Sequence, residues 1–184
     1  MRLKTLFWCF AWALVLAILG LLWGLRSYHV FTQEELVAVV RCEPAPPGSA
    51  AGFLLWWTPV SQGNAGSAEK FLMRGDQWMI GGDFLKWHPW LNLLGVGNCH
   101  KLTRLNSRYL KAKAEATQSR SVYDLNGGTD LVWSGLYRVS RWLPFVEATY
   151  GNAAYIAAEP GTRWGVYATL SGYLIKPLRR SPVH

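Results

Sequence analysis

The chain has 184 residues, of which 51% are hydrophobic and 16% are charged, and its formal net charge is +8. This length allows one ordinary domain plus an appendage, and the composition excludes a disordered chain, a collagen, a coiled coil and a polytopic membrane protein. Three cysteines and four histidines leave little material for a metal cluster. Eleven tryptophans make the chain unusually rich in indole.

Residues 5–25 form an uncharged apolar run that predicts a transmembrane helix. At ~1.5 Å per residue this run gives a helix of about 31 Å, which matches a hydrocarbon core of roughly 30 Å. Arg2 and Lys4 precede the run and Arg26 alone follows it closely, so the positive-inside rule predicts a cytoplasmic N-terminus. The alternative is a cleaved signal peptide, but the run is too long and lacks a small-residue cleavage site. We therefore expect a cytoplasmic tip and signal anchor over residues 1–26 and an extracytoplasmic domain over residues 27–184.

Apolar residues at the start of this domain predict two strands, the first of them through alternation. The first is Leu36 to Glu43, ended by the Pro-rich segment 44–48, and the second is Phe53 to Thr58, ended by Pro59. Ser61 to Ser67 predicts a flexible loop because it consists mainly of glycine and small polar residues.

Two strand pairs are predicted in the middle of the chain. Phe71 to Met73 and Gln77 to Ile80 flank Arg74-Gly75-Asp76, and a Gly-Asp hairpin turn explains this tripeptide better than an adhesion motif. The second pair, around Asn106-Ser107, is His100 to Leu105 with Tyr109 to Ala116. Alternation favours a strand over 109–116, although its alanines favour a helix by propensity.

The C-terminal part predicts one helix and further strands. Helical spacing of apolar residues indicates a helix over Asp130 to Arg141. Ala153 to Ala158 and Arg163 to Leu170 predict a hairpin around Glu159-Pro160-Gly161-Thr162, whose Pro-Gly pair suits a type II turn. Ser171-Gly172 then turns into a last strand. The expected fold class is α+β: one transmembrane helix followed by a mainly antiparallel β domain with one or two helices.

Four segments carry a resemblance to a known family, and the Trp-x-Pro-Trp motif is their most distinctive part. They are Gly75 to Trp78, Leu85 to Gly95, Leu102 to Tyr109, and Arg141 to Ala148 with Tyr150-Gly151. In these segments the chain resembles a family of small membrane-anchored bacterial proteins often labelled "multidrug transporter" or "cation/multidrug efflux pump". The resemblance implies a bacterial inner-membrane protein with a periplasmic domain, but it supplies no catalytic residue. Because a single span encloses no path through lipid, the transporter label fits an accessory subunit of a transport complex at most.

The sequence contains no recognisable catalytic, cofactor or metal motif. It lacks Gly-x-Ser-x-Gly, a P-loop, a dinucleotide fingerprint, His-x-x-x-His and Cys-x-x-Cys. Cys99 and His100 are adjacent, and neighbouring residues of a strand point to opposite faces, so we expect no shared metal ion. We therefore predict no catalytic residue, cofactor or metal. The enzymatic alternative is a periplasmic hydrolase whose carboxylate pair meets only in the folded chain.

Cys42 and Cys99 leave two alternatives open. Both would lie in the oxidising compartment, where a disulfide between them would be worth about 4 kcal/mol in the chain-entropy model. In the other alternative Cys42 is a core residue of its strand and Cys99 is a free thiol.

The segment from Phe84 to Leu94 is the first candidate for binding. Its apolar residues are too few to span a bilayer, but they suit an interface with Trp87 and Trp90 at headgroup depth and Lys86 beside phosphates. The other interpretation, which we favour, is a buried connection packed against the sheet, since large aromatic side chains usually fill cores.

The second candidate is a basic stretch that consists of Lys101, Arg104, Arg108, Lys111, Lys113 and Arg120. An anionic lipid or glycan is a more natural partner for it than a nucleic acid. A solvated strand face that blocks edge pairing explains the same charges equally well. We expect a non-catalytic membrane-anchored module that binds at the membrane surface or to a membrane-protein partner. The expected contact residues are Lys86, Trp87, Trp90, Lys101, Arg104, Arg108, Lys111 and Lys113.

Overall fold

The computed structural model describes residues 2–125, 134–135, 138–139 and 142–178. Their order along the chain begins with the helix α1 (Arg2–Thr32) and continues with ten strands and two short helices. These are β1 (Glu35–Pro44), β2 (Phe53–Ser61), β3 (Asn64–Ala65), β4 (Glu69–Met73), β5 (Gln77–Trp87), α2 (Pro89–Leu93), β6 (Cys99–Arg108), α3 (Ala112–Thr117), β7 (Val122–Asp124), β8 (Val146–Ala157), β9 (Arg163–Thr169) and β10 (Gly172–Pro177). The fold class is therefore α+β, as predicted.

The predicted apolar helix is present. Within α1, residues Phe7–Arg26 have a mean hydropathy of 2.1, and none of that segment is buried against the rest of the protein. Among the described residues this is the one helix long and apolar enough to cross a membrane. The helix predicted over Asp130–Arg141 lies largely outside the described residues, although Ser134, Gly135, Arg138 and Val139 are helical.

The strands form two antiparallel sheets. The first has the order β10-β9-β1-β2, with β3 and β4 both paired to the far side of β2, and the second has the order β7-β6-β5-β8. The sheets pack face to face, since residues of both belong to one buried cluster. Its largest fully buried side chains are Trp78, Phe84, Leu55, Met73, Ile80, Leu85 and Leu105.

The predicted strand over 36–43 is confirmed as the central strand β1. Its inward residues include Ala38, Val40 and Cys42, and Arg41 points the other way, as alternation requires. Val37 is buried as well, because the pairing of β1 with β9 shifts by one residue between Leu36 and Ala38.

The predicted end of the second strand at Pro59 is wrong, and so is the flexible loop after it. Strand β2 continues to Ser61, and Pro59 fits because it lies between the segments that pair with β4 and β3. Gln62 and Gly63 both have positive φ, so they form a type I′ hairpin turn that leads into β3.

Two predicted hairpins are wrong for the same reason. Arg74-Gly75-Asp76 connects β4 in the first sheet to β5 in the second, so it does not join two strands that pair with each other. The turn at 159–162 forms, with the Thr162 N–H donating to the Glu159 carbonyl at 3.3 Å, but it joins β8 of the second sheet to β9 of the first. The predicted turn at Ser171-Gly172 into a last strand is confirmed, and that strand, β10, pairs with β9.

The predicted strand over 109–116 is also wrong. Strand β6 runs through Asn106-Ser107 without a turn, and α3 follows it. Helix propensity of the alanines outweighs the alternation here, and the Glu115 carboxylate accepts a hydrogen bond from the Tyr109 N–H at 2.8 Å.

Candidate membrane-contact site

Residues 87–98 form a turn between β5 and β6 that we call the α2 corner. Pro89 begins its short helix, where a missing N–H costs nothing, and Gly95 at a φ of 99° ends it. Asn92 is buried and donates from Nδ2 to the Val96 carbonyl at 2.9 Å and to the Asn98 Oδ1 at 3.1 Å. These bonds hold the α2 corner in one conformation.

Asn98 connects the α2 corner to both sheets. Its Oδ1 accepts a hydrogen bond from the Trp87 N–H at 3.2 Å, and its Nδ2 donates to the Leu170 carbonyl at 3.2 Å. This role of the two asparagines was not among the predictions from the sequence. Their position beside the Gly-Val-Gly segment 95–97 was the available signal, because side-chain amides often satisfy the backbone of such turns.

The tryptophans of the α2 corner have different environments. The Trp87 side chain is half-buried, with its Nε1 donating to the Gly97 carbonyl at 3.0 Å and its ring 6.1 Å from that of Phe145. Trp90 is 49% exposed, and two further apolar residues of the same corner, Leu94 and Val96, are 66% and 41% exposed. The buried-connection interpretation therefore describes Trp87 but not Trp90.

The α2 corner lies against the end of the apolar helix. Arg26 is the last residue of the candidate span, and its Nε donates to the Leu93 carbonyl at 2.9 Å. A Cβ built on Gly95 would lie 3.2 Å from the Arg26 Nη2, so the two segments are in close contact. The exposed apolar side chains of the α2 corner are thus beside the end of the apolar segment of α1.

Lys86 is already paired within the domain. Its Nζ lies 3.0 Å from Oε1 of Glu147, and both side chains are partly buried. An ion pair of this kind leaves less of the lysine charge available to a lipid phosphate.

The remaining predicted contact residues do not gather at the α2 corner. Strand β6 starts beside it at Cys99 and ends at Arg108, and ten residues at ~3.3 Å each make a strand of about 33 Å. Lys101 is therefore near the α2 corner, Arg104 is midway, and Arg108 is at the opposite end. Lys111 and Lys113 are exposed beyond that end, at α3. Since the Debye length is ~8 Å at physiological salt, the four charges beyond Lys101 do not act as one surface with the tryptophans.

One imidazole meets a carboxylate in the described part of the chain, which is a contact that an enzymatic site could use. The His100 Nε2 lies 3.9 Å from Oε2 of Glu35, and burial lowers the pKa of His100 although Glu35 opposes this shift. Burial, with a smaller contribution from Asp83, raises the pKa of the neighbouring Tyr173. A shallow pocket of about 350 Å³ is lined by Glu34 and Tyr173, but neither Glu35 nor His100 lines it. The His100–Glu35 pair is thus explained as a contact between the two sheets.

The cysteines are free thiols in the structure. Cys42 is fully buried in β1, where burial raises its pKa to about 12, and Cys99 begins β6. Of the two alternatives for this pair, the structure has the unbonded one. The described residues contain no group of three or more His, Cys, Asp or Glu side chains that could hold a metal ion.

Comparisons with known proteins add no further identification. No protein-family model matches the chain, and no curated protein or solved structure is significantly similar to it.

Proposed function

We propose that the protein is a single-pass membrane protein whose extracytoplasmic domain is a non-catalytic binding module seated on the bilayer through the α2 corner. The charge bias around residues 5–25 favours a cytoplasmic N-terminus. The family resemblance favours the bacterial inner membrane, with the domain in the periplasm.

The hydrogen bond between Arg26 and Leu93 carries this proposal. It places Trp90, Leu94 and Val96 beside the end of the candidate span, where their exposed apolar surface would otherwise face water. An indole favours the bilayer interface because one end of it is apolar and the other donates a hydrogen bond. Burying such side chains at headgroup depth removes apolar surface from water and gives the domain a second attachment.

The contact is apolar rather than electrostatic. Lys86 is paired with Glu147, and the surface that the α2 corner exposes is mainly that of Trp90, Leu94 and Val96. Attachment of the α2 corner to the bilayer should therefore depend weakly on salt and on the fraction of anionic lipid, since screening acts on charges and leaves apolar burial unchanged.

Thiol labelling of the full chain in liposomes tests this proposal. Leu94→Cys and Leu110→Cys are compared in a background that lacks Cys9 and Cys99, while Cys42 is fully buried. Leu94 is 66% exposed and Leu110 is 74% exposed, so water would reach the two thiols almost equally if no membrane covered them. We expect a membrane-impermeant maleimide to label position 94 at least tenfold more slowly, because only the hydrated thiolate reacts.

The labelling rate of each variant is also measured after denaturation. Dividing the rate in the bilayer by this rate removes differences in reactivity that neighbouring residues in the sequence cause. Equal rates at positions 94 and 110 in the bilayer would overturn the proposal. A C-terminal alkaline phosphatase fusion tests the orientation separately, and activity is expected only if the domain is extracytoplasmic.

A further inference from the structure

A row of cationic side chains crosses the outer face of the first sheet. In the strand registers Arg163 of β9 is opposite Arg41 of β1, Arg41 is opposite Trp56 of β2, and Trp56 is opposite Lys70 of β4. Arg41 stands between the buried Val40 and Cys42, so the row lies on the face turned away from the core. We call these four residues, three cations and the indole of Trp56, the cationic row.

The cationic row carries more positive charge than its own contacts neutralise. Arg41 Nη2 lies 2.7 Å from Oε1 of Glu43, whose Oε2 also accepts the Trp56 Nε1–H at 2.8 Å. Within the described part of the chain, neither Arg163 nor Lys70 has an ion pair. Like charges directly opposite each other on neighbouring strands destabilise a sheet, and Glu43 compensates only the Arg41 member of the Arg41–Arg163 pair.

The indole of Trp56 is held between two cations. Lys70 Nζ lies 4.3 Å from the centroid of its ring, and Arg41 Cζ lies 5.4 Å from it, both within the range of a cation–π contact. These contacts hold the Arg41 guanidinium in position before any ligand arrives, which reduces the entropy that binding costs.

A shallow pocket lies beside the cationic row. Its volume is about 400 Å³, and it is lined by Val39, Arg41, Trp56, Thr58, Ala68 and Arg163. Sites for small molecules measure roughly 300–1,000 Å³ and combine apolar walls with a few polar groups. Here two guanidinium groups, which suit carboxylate and phosphate geometry, adjoin an apolar floor and one hydroxyl.

We propose that this pocket binds a small soluble ligand that carries a carboxylate or phosphate group on an uncharged, ring-sized body. The oxyanion lies between Arg41 and Arg163, and the body lies over Val39, Thr58 and Ala68. Strand β1 begins at Glu35, its end nearest to α1 and so to the proposed membrane surface, and Arg41 is six residues further along. This places Arg41 about 20 Å from that end of the strand, so a bilayer lipid is not the ligand. The inference specifies what the proposed binding module binds, but its site and its test are independent of the α2 corner.

Nuclear magnetic resonance of the full chain in detergent micelles tests this assignment. The eleven indole N–H signals are observed with ¹⁵N-tryptophan, and Trp56→Phe identifies the signal of Trp56, which senses Glu43 and the cationic row directly. Glucuronate, inorganic phosphate and glucose are the probes. We expect a saturable shift of the Trp56 signal with glucuronate or phosphate and none with glucose.

Single substitutions locate the binding. Arg163→Gln removes a guanidinium without breaking an ion pair, and we expect it to weaken binding about tenfold or more, as the loss of a charge-assisted hydrogen bond does. Arg104→Gln removes the same charge from an exposed position on β6 in the other sheet and should leave binding unchanged. Absence of a saturable shift, an equal shift with glucose, or equal weakening by both variants would overturn the proposal. The other indole signals report whether each variant is folded.

Discussion

Leu94→Ser perturbs the proposed contact of the α2 corner with the membrane while changing the domain itself very little. Leu94 is 66% exposed, so two thirds of its side chain makes no contact within the protein. Full burial of a leucine side chain is worth about 1.5–3 kcal/mol, and the exposed share corresponds to about 1–2 kcal/mol when a bilayer covers it. At ~1.4 kcal/mol per factor of ten, the substitution should favour release of the α2 corner by about 5–30-fold.

Amide hydrogen exchange of the full chain in lipid nanodiscs measures that release. The amides to follow are those bonded within the α2 corner: Leu94 N–H to the Trp90 carbonyl, Gly95 N–H to Asn92 and Val96 N–H to Leu91. Leu94→Ser should raise their exchange rates by the calculated factor. Leu110→Ser, at a similarly exposed position far from the α2 corner, should leave the rates of the α2 corner unchanged. A change of less than twofold with Leu94→Ser would refute the reasoning.

Three further predictions concern the fold. Gly82→Ala should lower the unfolding free energy by about 3 kcal/mol or more, because the added methyl group would overlap the Lys101 carbonyl oxygen. Thermal unfolding measures this change, and an unchanged midpoint would contradict the packing at the bulge between Gly81 and Gly82. Glu115→Ala should cost about 1–2 kcal/mol in denaturant unfolding because the Tyr109 N–H loses its acceptor, whereas Glu115→Gln keeps an acceptor and should cost less. Burial lowers the pKa of His100 below 6.5, so the unfolded chain takes up the proton first. Stability should then fall as the pH drops below about 6.5 and level off below the pKa of the folded state. His100→Gln should remove this part of the pH dependence of the unfolding free energy, and an unaltered profile would assign the dependence to other groups.

Local sequence patterns predicted the positions of strands better than their partners. Residues 36–43 form β1 as their alternation predicts, and Ala38, Val40 and Cys42 share its inward face, since the side-chain period of a strand is a local property. The turns at 74–76 and 159–162 also occur where their residues predict them. Whether a turn joins two paired strands or leads from one sheet to the other depends on long-range pairing, and a local pattern contains no information about it.

The same limit applies to the two sites. The apolar character of the α2 corner followed from its composition, but its contact with Arg26 depends on how the whole domain meets α1. Arg41 and Arg163 stood in strands that were predicted separately, and only the register of β1 with β9 brings them together. The basic stretch around β6 was conspicuous because its residues are close in sequence, yet the strand distributes them over its full length.

The depth of the α2 corner in the bilayer tests the central claim most directly. A spin label at position 94 of the full chain in liposomes reports its depth through collisions with oxygen, which partitions into lipid, and with a nickel chelate, which stays in water. The account predicts a label about 5–10 Å into the boundary between headgroups and acyl chains, while a label at position 110 remains in water. Equal accessibility of both labels to the chelate would show that the domain does not rest on the membrane.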